Sequence, residues 1–116
     1  MEIKRYGGTG RMSKAVAYQG VLYLCGQTGN AEDDIRTQAR DILERIEGLL
    51  KEYGSDKSLL LTAQVFLGDI RLFDAFNEVW DSWVIPGCEP TRFCVEARAA
   101  SACKQVEVVV TAALKE

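Results

Sequence analysis

The sequence predicts an α+β domain in which a mixed sheet carries two helices on one face. Three features predict it: paired apolar runs near the start, two segments with apolar residues every three or four positions, and two alternating runs near the end. The predicted order is β-β-α-β-α-β-β. A chain of 116 residues can bury one core but not two, so residues 1–116 are read as a single domain.

The first two strands are the apolar runs Ala15 to Tyr18 and Val21 to Cys25. Gln19-Gly20 between them is a hairpin signal, because glycine supplies the positive φ of a tight turn. From about Glu32 to Tyr53, Ile35, Ala39, Ile42, Leu43, Ile46, Leu49 and Leu50 mark one face of a helix, entered through Asp33-Asp34 and stopped at Gly54. Leu59 to Leu67 reads as a buried strand. Asp69 is placed as the cap of a second helix with a stripe of Leu72, Phe73, Phe76, Val79, Trp80 and Trp83, ended by Pro86-Gly87. Asp74, Glu78 and Asp81 fall on its solvent side. Such an aromatic stripe can line a ligand pocket, but at helical spacing it is core more often than not.

Composition narrows the function. The chain is 47% hydrophobic and 27% charged, as in ordinary globular proteins. Its net charge of -3 offers no general attraction for nucleic acid, whose phosphates call for a basic surface. No apolar run approaches the roughly 18 to 20 residues that cross a bilayer, and the start lacks the apolar stretch of a signal peptide, so the expected location is the cytoplasm without membrane contact. Cys25, Cys88, Cys94 and Cys103 form no close pair, and histidine is absent, which argues for reduced packing thiols and against a structural zinc site or any bound metal. Nucleophile systems that depend on histidine are excluded in their usual form, leaving carboxylates, amines, guanidinium groups and backbone amides.

The last two predicted strands, TRFCVEA and KQVEVVVTAA, carry the candidate chemistry. Alternation puts Arg92, Cys94 and Glu96 on one face and Phe93, Val95 and Ala97 on the other. A tight hairpin about Arg98 to Ser101 would set Arg92 opposite Glu107, Cys94 opposite Gln105 and Phe93 opposite Val106, collecting the polar residues on one face. In that register Arg92 and Glu107 could be a plain cross-strand ion pair, worth about 0.2 to 1 kcal/mol. They could equally be functional: a guanidinium is a two-pronged donor for a ligand carboxylate, and a glutamate can orient or deprotonate water beside it. Glu96 is the weaker candidate, being next to the turn.

These residues also carry a likeness. PTRFCVEA followed by KQVEVVV resembles the C-terminal motif of the RidA/YjgF family, in which a proline-x-arginine strand precedes a valine/isoleucine-glutamate strand, with the same fifteen-position spacing from Arg92 to Glu107. VLYLCGQTG resembles that family's small-Gly-Gln motif and AQVFLGDIRLFDAFNEVW its strand-helix segment; the likeness runs from about Ser13 to Leu114.

The resemblance implies a chorismate-mutase-like fold and a homotrimer whose sheets surround a central barrel, with sites in the clefts between subunits. It implies hydrolytic deamination of enamine/imine intermediates of the 2-aminoacrylate type, without metal or organic cofactor. Arg92 would grip the substrate carboxylate and Glu107 would act on water. Backbone groups at Gly26 and Cys94 would hold the substrate nitrogen and carboxylate, with Cys25 beside them. Met12 or Ser13 stands where the family often has an aromatic residue, Cys25 where it has serine, and Val109 where a second acidic residue is frequent, as in a divergent branch. A non-enzymatic trimer that binds a 2-keto acid or similar carboxylate through Arg92 is the alternative. RNA cleavage, a name attached to parts of the family, ranks behind both on charge and missing histidine.

Overall fold

The computed structural model describes residues 2–100 and 104–116. Its strands are β1 (Lys4–Tyr6), β2 (Ala15–Tyr18), β3 (Val21–Leu24), β4 (Gln27–Thr28), β5 (Leu60–Leu67), β6 (Thr91–Glu96) and β7 (Val106–Ala113). Its helices are α1 (Ile35–Glu52) and α2 (Phe73–Trp83). One mixed sheet holds all seven strands in the order β1-β2-β3-β7-β5-β6, with β4 pairing with β7 where β3 has ended. The β5–β6 pair is parallel and the others antiparallel.

The helices form where apolar spacing placed them. Asp34 opens α1, its carboxylate accepting from the Thr37 N–H at 2.8 Å, and the helix stops at the Tyr53–Gly54 corner. Ala39, Ile42, Leu43, Ile46 and Leu50 of α1 and Phe76, Val79 and Trp80 of α2 are buried with Leu22, Ala63, Val65, Leu67, Val106, Val108 and Val110 in one core. Both helices therefore cover the same sheet face. Trp83 joins them at one end, its indole N–H donating to Glu47 at 3.0 Å, while Arg36 and Glu78 pair at 2.7 Å across the helix surface. The hairpin β2–β3 turns as expected, with Gln19 and Gly20 both at positive φ (51° and 80°), the geometry of a type I′ turn.

Several expectations require correction. The C-terminal strands do not form a hairpin: β5 lies between them, parallel to β6 and antiparallel to β7. The chain leaves β5 through α2, and burial of Phe76, Val79 and Trp80 on the sheet brings it back parallel and alongside, as helix-linked strands do. At the end of β5, Ala97 N–H donates to Leu67 O at 2.9 Å and Gly68 N–H to Gln105 O at 2.9 Å. The register of Arg92 against Glu107 falls with the hairpin. Ser101 of the expected turn, and Cys103, lie outside the described residues.

The remaining differences are local. Asp69 caps a 3₁₀ turn, Ile70–Leu72, that leads into α2, and α2 stops at Trp83, before Pro86. The first helix begins at Ile35 rather than near Glu32. Strands β1 and β4 escaped notice because three and two residues are too few to show a period.

Ile46 is fully buried under the sheet. Ile46→Ala should lower unfolding free energy by about 2–5 kcal/mol, measured by urea denaturation.

Candidate functional site

Opposed residues in neighbouring strands share a face, so the register decides where each candidate points. Arg92 is opposite Ala63 and Cys94 opposite Val65, and both partners are buried under the helices. Arg92 and Cys94 thus lie on the helix-bearing face. Glu107 is opposite Phe66 and Thr28, on the other face. Within one chain the two proposed catalytic groups are on opposite sides of the sheet, which removes the cross-strand ion pair.

Arg92 sits at the sheet edge beneath α2. Its guanidinium carbon is 5.2 Å from the Trp80 ring centre and 5.9 Å from those of Phe73 and Phe76, a cation–π bed that holds the planar group in place. Nη1 is buried and has no hydrogen-bond partner, and no carboxylate among the described residues pairs with this side chain. A buried donor on an unpaired cation is costly, and an incoming anion would relieve it.

Cys94 borders a hollow of about 480 Å³ with Ile70, Arg71, Phe73 and Asp74. Burial pushes its thiol above the ordinary 9.0, against the opposite pull of Arg92, so it stays protonated at neutral pH and is a poor nucleophile. Its backbone is better placed. Ala97 donates to Leu67, so by alternation the Cys94 N–H points away from β5, toward the open edge of β6. Glu96, the weaker candidate, accepts from the Ile70 N–H at 2.9 Å and holds the 3₁₀ turn before α2.

The other half of the site is at the break between β3 and β4. Gly26 packs on Glu107: a Cβ at Gly26 would collide with Oε2 and approach Cδ to 3.0 Å. Absence of a side chain at Gly26 is what lets the carboxylate lie against the backbone there. Cys25 accepts from the Gln27 side-chain nitrogen at 3.3 Å through sulfur and 3.1 Å through its carbonyl. Thr28, opposite Glu107, is held from two sides, its carbonyl by Arg45 at 2.8 Å and its hydroxyl by the Lys104 ammonium at 3.1 Å. A cleft of about 280 Å³ opens here, with Met12, Lys14, Cys25, Gly26, Arg45 and Leu49 among its walls. Met12, flagged by its departure from the family, does form part of a wall.

The candidates thus fall into two groups, Arg92 with Cys94, and Glu107 with Gly26 and Cys25. Sequence reasoning missed the aromatic bed of Arg92, having assigned Phe73, Phe76 and Trp80 to core alone. It also missed Arg45, which on periodicity is one more exposed helix residue. Among the described residues no group of three metal-ligating side chains occurs.

An arginine at a sheet edge beside an outward N–H, and a glutamate against a glycine backbone, are the candidate groups that this α+β scaffold presents. The family model for endoribonuclease L-PSP matches residues 2–114. A RutC family protein from Haemophilus ducreyi is 36% identical over 97% of both chains, and the RutC family protein YoaB of Escherichia coli K12 is 35% identical over 98% of this chain and 100% of its own. The crystal structure of NMB1025, a YjgF-family member from Neisseria meningitidis, superposes with a TM-score of 0.96 at 38% identity, covering 100% of this chain and 98% of that one. The chain therefore belongs to the RidA/YjgF family, in which the RutC and L-PSP names also fall.

Two outcomes test this geometry. Gly26→Ala should displace the Glu107 carboxylate and, if that carboxylate works on substrate, lower kcat at least tenfold with the thermal midpoint little changed. Alkylation of Cys94 by iodoacetamide at pH 7 should be slower than that of N-acetylcysteine and accelerate only above pH 9, followed by peptide mass spectrometry.

Proposed function

We propose that the protein hydrolyses reactive 2-imino acids, the tautomers of 2-aminoacrylate-type enamines, to 2-keto acids and ammonia. The observation that carries this reading is Arg92: a cation on an aromatic bed, with a buried donor lacking a partner, beside an edge N–H. That set matches the carboxylate of an imino acid, with the guanidinium and the Cys94 N–H as donors.

Because Arg92 and Glu107 lie on opposite faces, one substrate can meet both only between two copies of the chain. Support for such an assembly comes from the face without helices. Tyr23, Phe93 and Val95 are 45%, 46% and 41% exposed there, and Phe93 meets Phe66 edge to face at 5.9 Å. Half-exposed apolar side chains at both sides of this face suit contact with a second copy. Unlike half-sites join head to tail, and where the rotation closes they form a ring, in keeping with the homotrimer that the family likeness implies.

In that cleft Glu107 would take a proton from a water as its oxygen attacks the imine carbon. The carbon–nitrogen π electrons move to nitrogen, giving a tetrahedral amino alcohol. Glu107 returns that proton to nitrogen to complete the adduct, then takes the hydroxyl proton as the carbonyl forms and passes it to the nitrogen, so that the carbon–nitrogen bond breaks and ammonia leaves. Gly26 would face the substrate nitrogen through its backbone. No histidine is needed, since the imine carbon is already electrophilic. The proposed setting is the cytoplasm, beside enzymes that release imines; no helix among the described residues is long and apolar enough to cross a membrane.

Imines generated in situ by an amino-acid oxidase should lose ammonia faster with the protein present. Arg92→Ala should abolish the acceleration through KM. Glu107→Gln should lower kcat by about 10²-fold or more while carboxylate binding persists; no acceleration by the folded, unaltered protein would leave the carboxylate-binding alternative. Sedimentation at micromolar concentration should give a trimer, and a monomer would remove the shared cleft.

A further inference from the structure

The cleft beside Gly26 holds more than imine hydrolysis requires. At about 280 Å³ it has room for roughly nine water-sized groups, well beyond a methyl or ethyl side chain. Met12 and Leu49 give it apolar surface, and two cations, Lys14 and Arg45, stand on its walls. Lys14, Arg45 and Lys104 have no carboxylate within ion-pairing distance among the described residues, as is also true of Lys4, Arg5, Arg11, Arg40, Arg92 and Arg98. One guanidinium nitrogen of Arg45 is fixed on the Thr28 carbonyl at 2.8 Å, which holds the group at the cleft, and Lys104 adds a third cation on the hydroxyl of the same threonine. Three cations thus gather at one corner of a chain whose net charge is -3, with the Glu107 carboxylate against Gly26 beside them.

We propose that this cleft receives a second anionic group on the substrate, so that the preferred substrates are the imines of dicarboxylic amino acids. The inference rests on the deaminase reading for its turnover assay and on the cleft alone for its binding assay. An exposed ion pair by itself contributes little. A carboxylate held between a guanidinium and an ammonium, with its methylenes on Met12 and Leu49, is gripped from two sides and partly out of water. Arg92 takes the carboxylate next to the imine, and Lys14 with Arg45 takes the one at the far end.

The test compares two substrates and two products. Imines made in situ from glutamate and from 2-aminobutyrate give a ratio of kcat/KM, and calorimetric titration with 2-oxoglutarate and 2-oxobutanoate gives a ratio of Kd without turnover. Both ratios should favour the dicarboxylate at least tenfold in the unaltered protein. Lys14→Gln with Arg45→Gln should reduce each about tenfold, and Lys14→Gln alone, which leaves the Arg45 tie to Thr28 intact, should reduce each in part. Ratios near one, or ratios that the double substitution does not move, would overturn the proposal. Absence of turnover with either imine would instead count against the deaminase reading, and the Kd ratio would still decide the occupant of the cleft.

Discussion

Insertion of β5 between β6 and β7 is the constraint on which the site depends. Side by side, those two strands could have let Arg92 and Glu107 neutralise each other. With β5 between them, the parallel return through α2 places Arg92 under that helix, and the antiparallel pairing of β7 turns Glu107 to the opposite face. Two groups of opposite charge are thereby left without each other. The helix that makes the crossover also supplies the aromatic rings on which the arginine rests, so one piece of topology sets both its position and its surroundings.

The two halves of the site are built by different physical means. Around Arg92 the device is burial: aromatic faces orient the guanidinium while part of it is kept from water, which strengthens its interaction with any anion that reaches it. Around Glu107 the device is close approach, a glycine backbone against a carboxylate at the point where β3 gives way to β4. Neither half involves an activated thiol. In the proposed reaction Cys94 would contribute through its backbone, its protonated sulfur inert toward the electrophile.

Much of this was legible in the sequence, for identifiable reasons. Both helices carry strong periodicity, and burial follows a period of 3.6, except that Phe73 of the expected second stripe is exposed and Leu72 falls in the turn before α2. Gln19-Gly20 announced its turn through backbone geometry. Alternation along β6 rightly grouped Arg92 with Cys94 and Glu96. What alternation cannot reveal is the neighbour of a strand: periodicity fixes which residues share a face of one strand, while pairing is settled by how the whole chain buries its helices. The hairpin expectation failed there, and with it the placement of Glu107. Arg45 was invisible for a related reason, since its value comes from Thr28, seventeen positions away and on another element.

Separation of the charged pair across the sheet also has a genetic consequence. In an assembly that shares each site between neighbours, one chain lends the arginine and the next lends the glutamate. A chain altered at position 92 and a chain altered at position 107 would then each be inactive alone, yet co-expressed they would form mixed rings in which some clefts receive both intact halves. Two defective alleles would complement each other inside a single oligomer, a behaviour closed to a protein that carries its whole site within one chain.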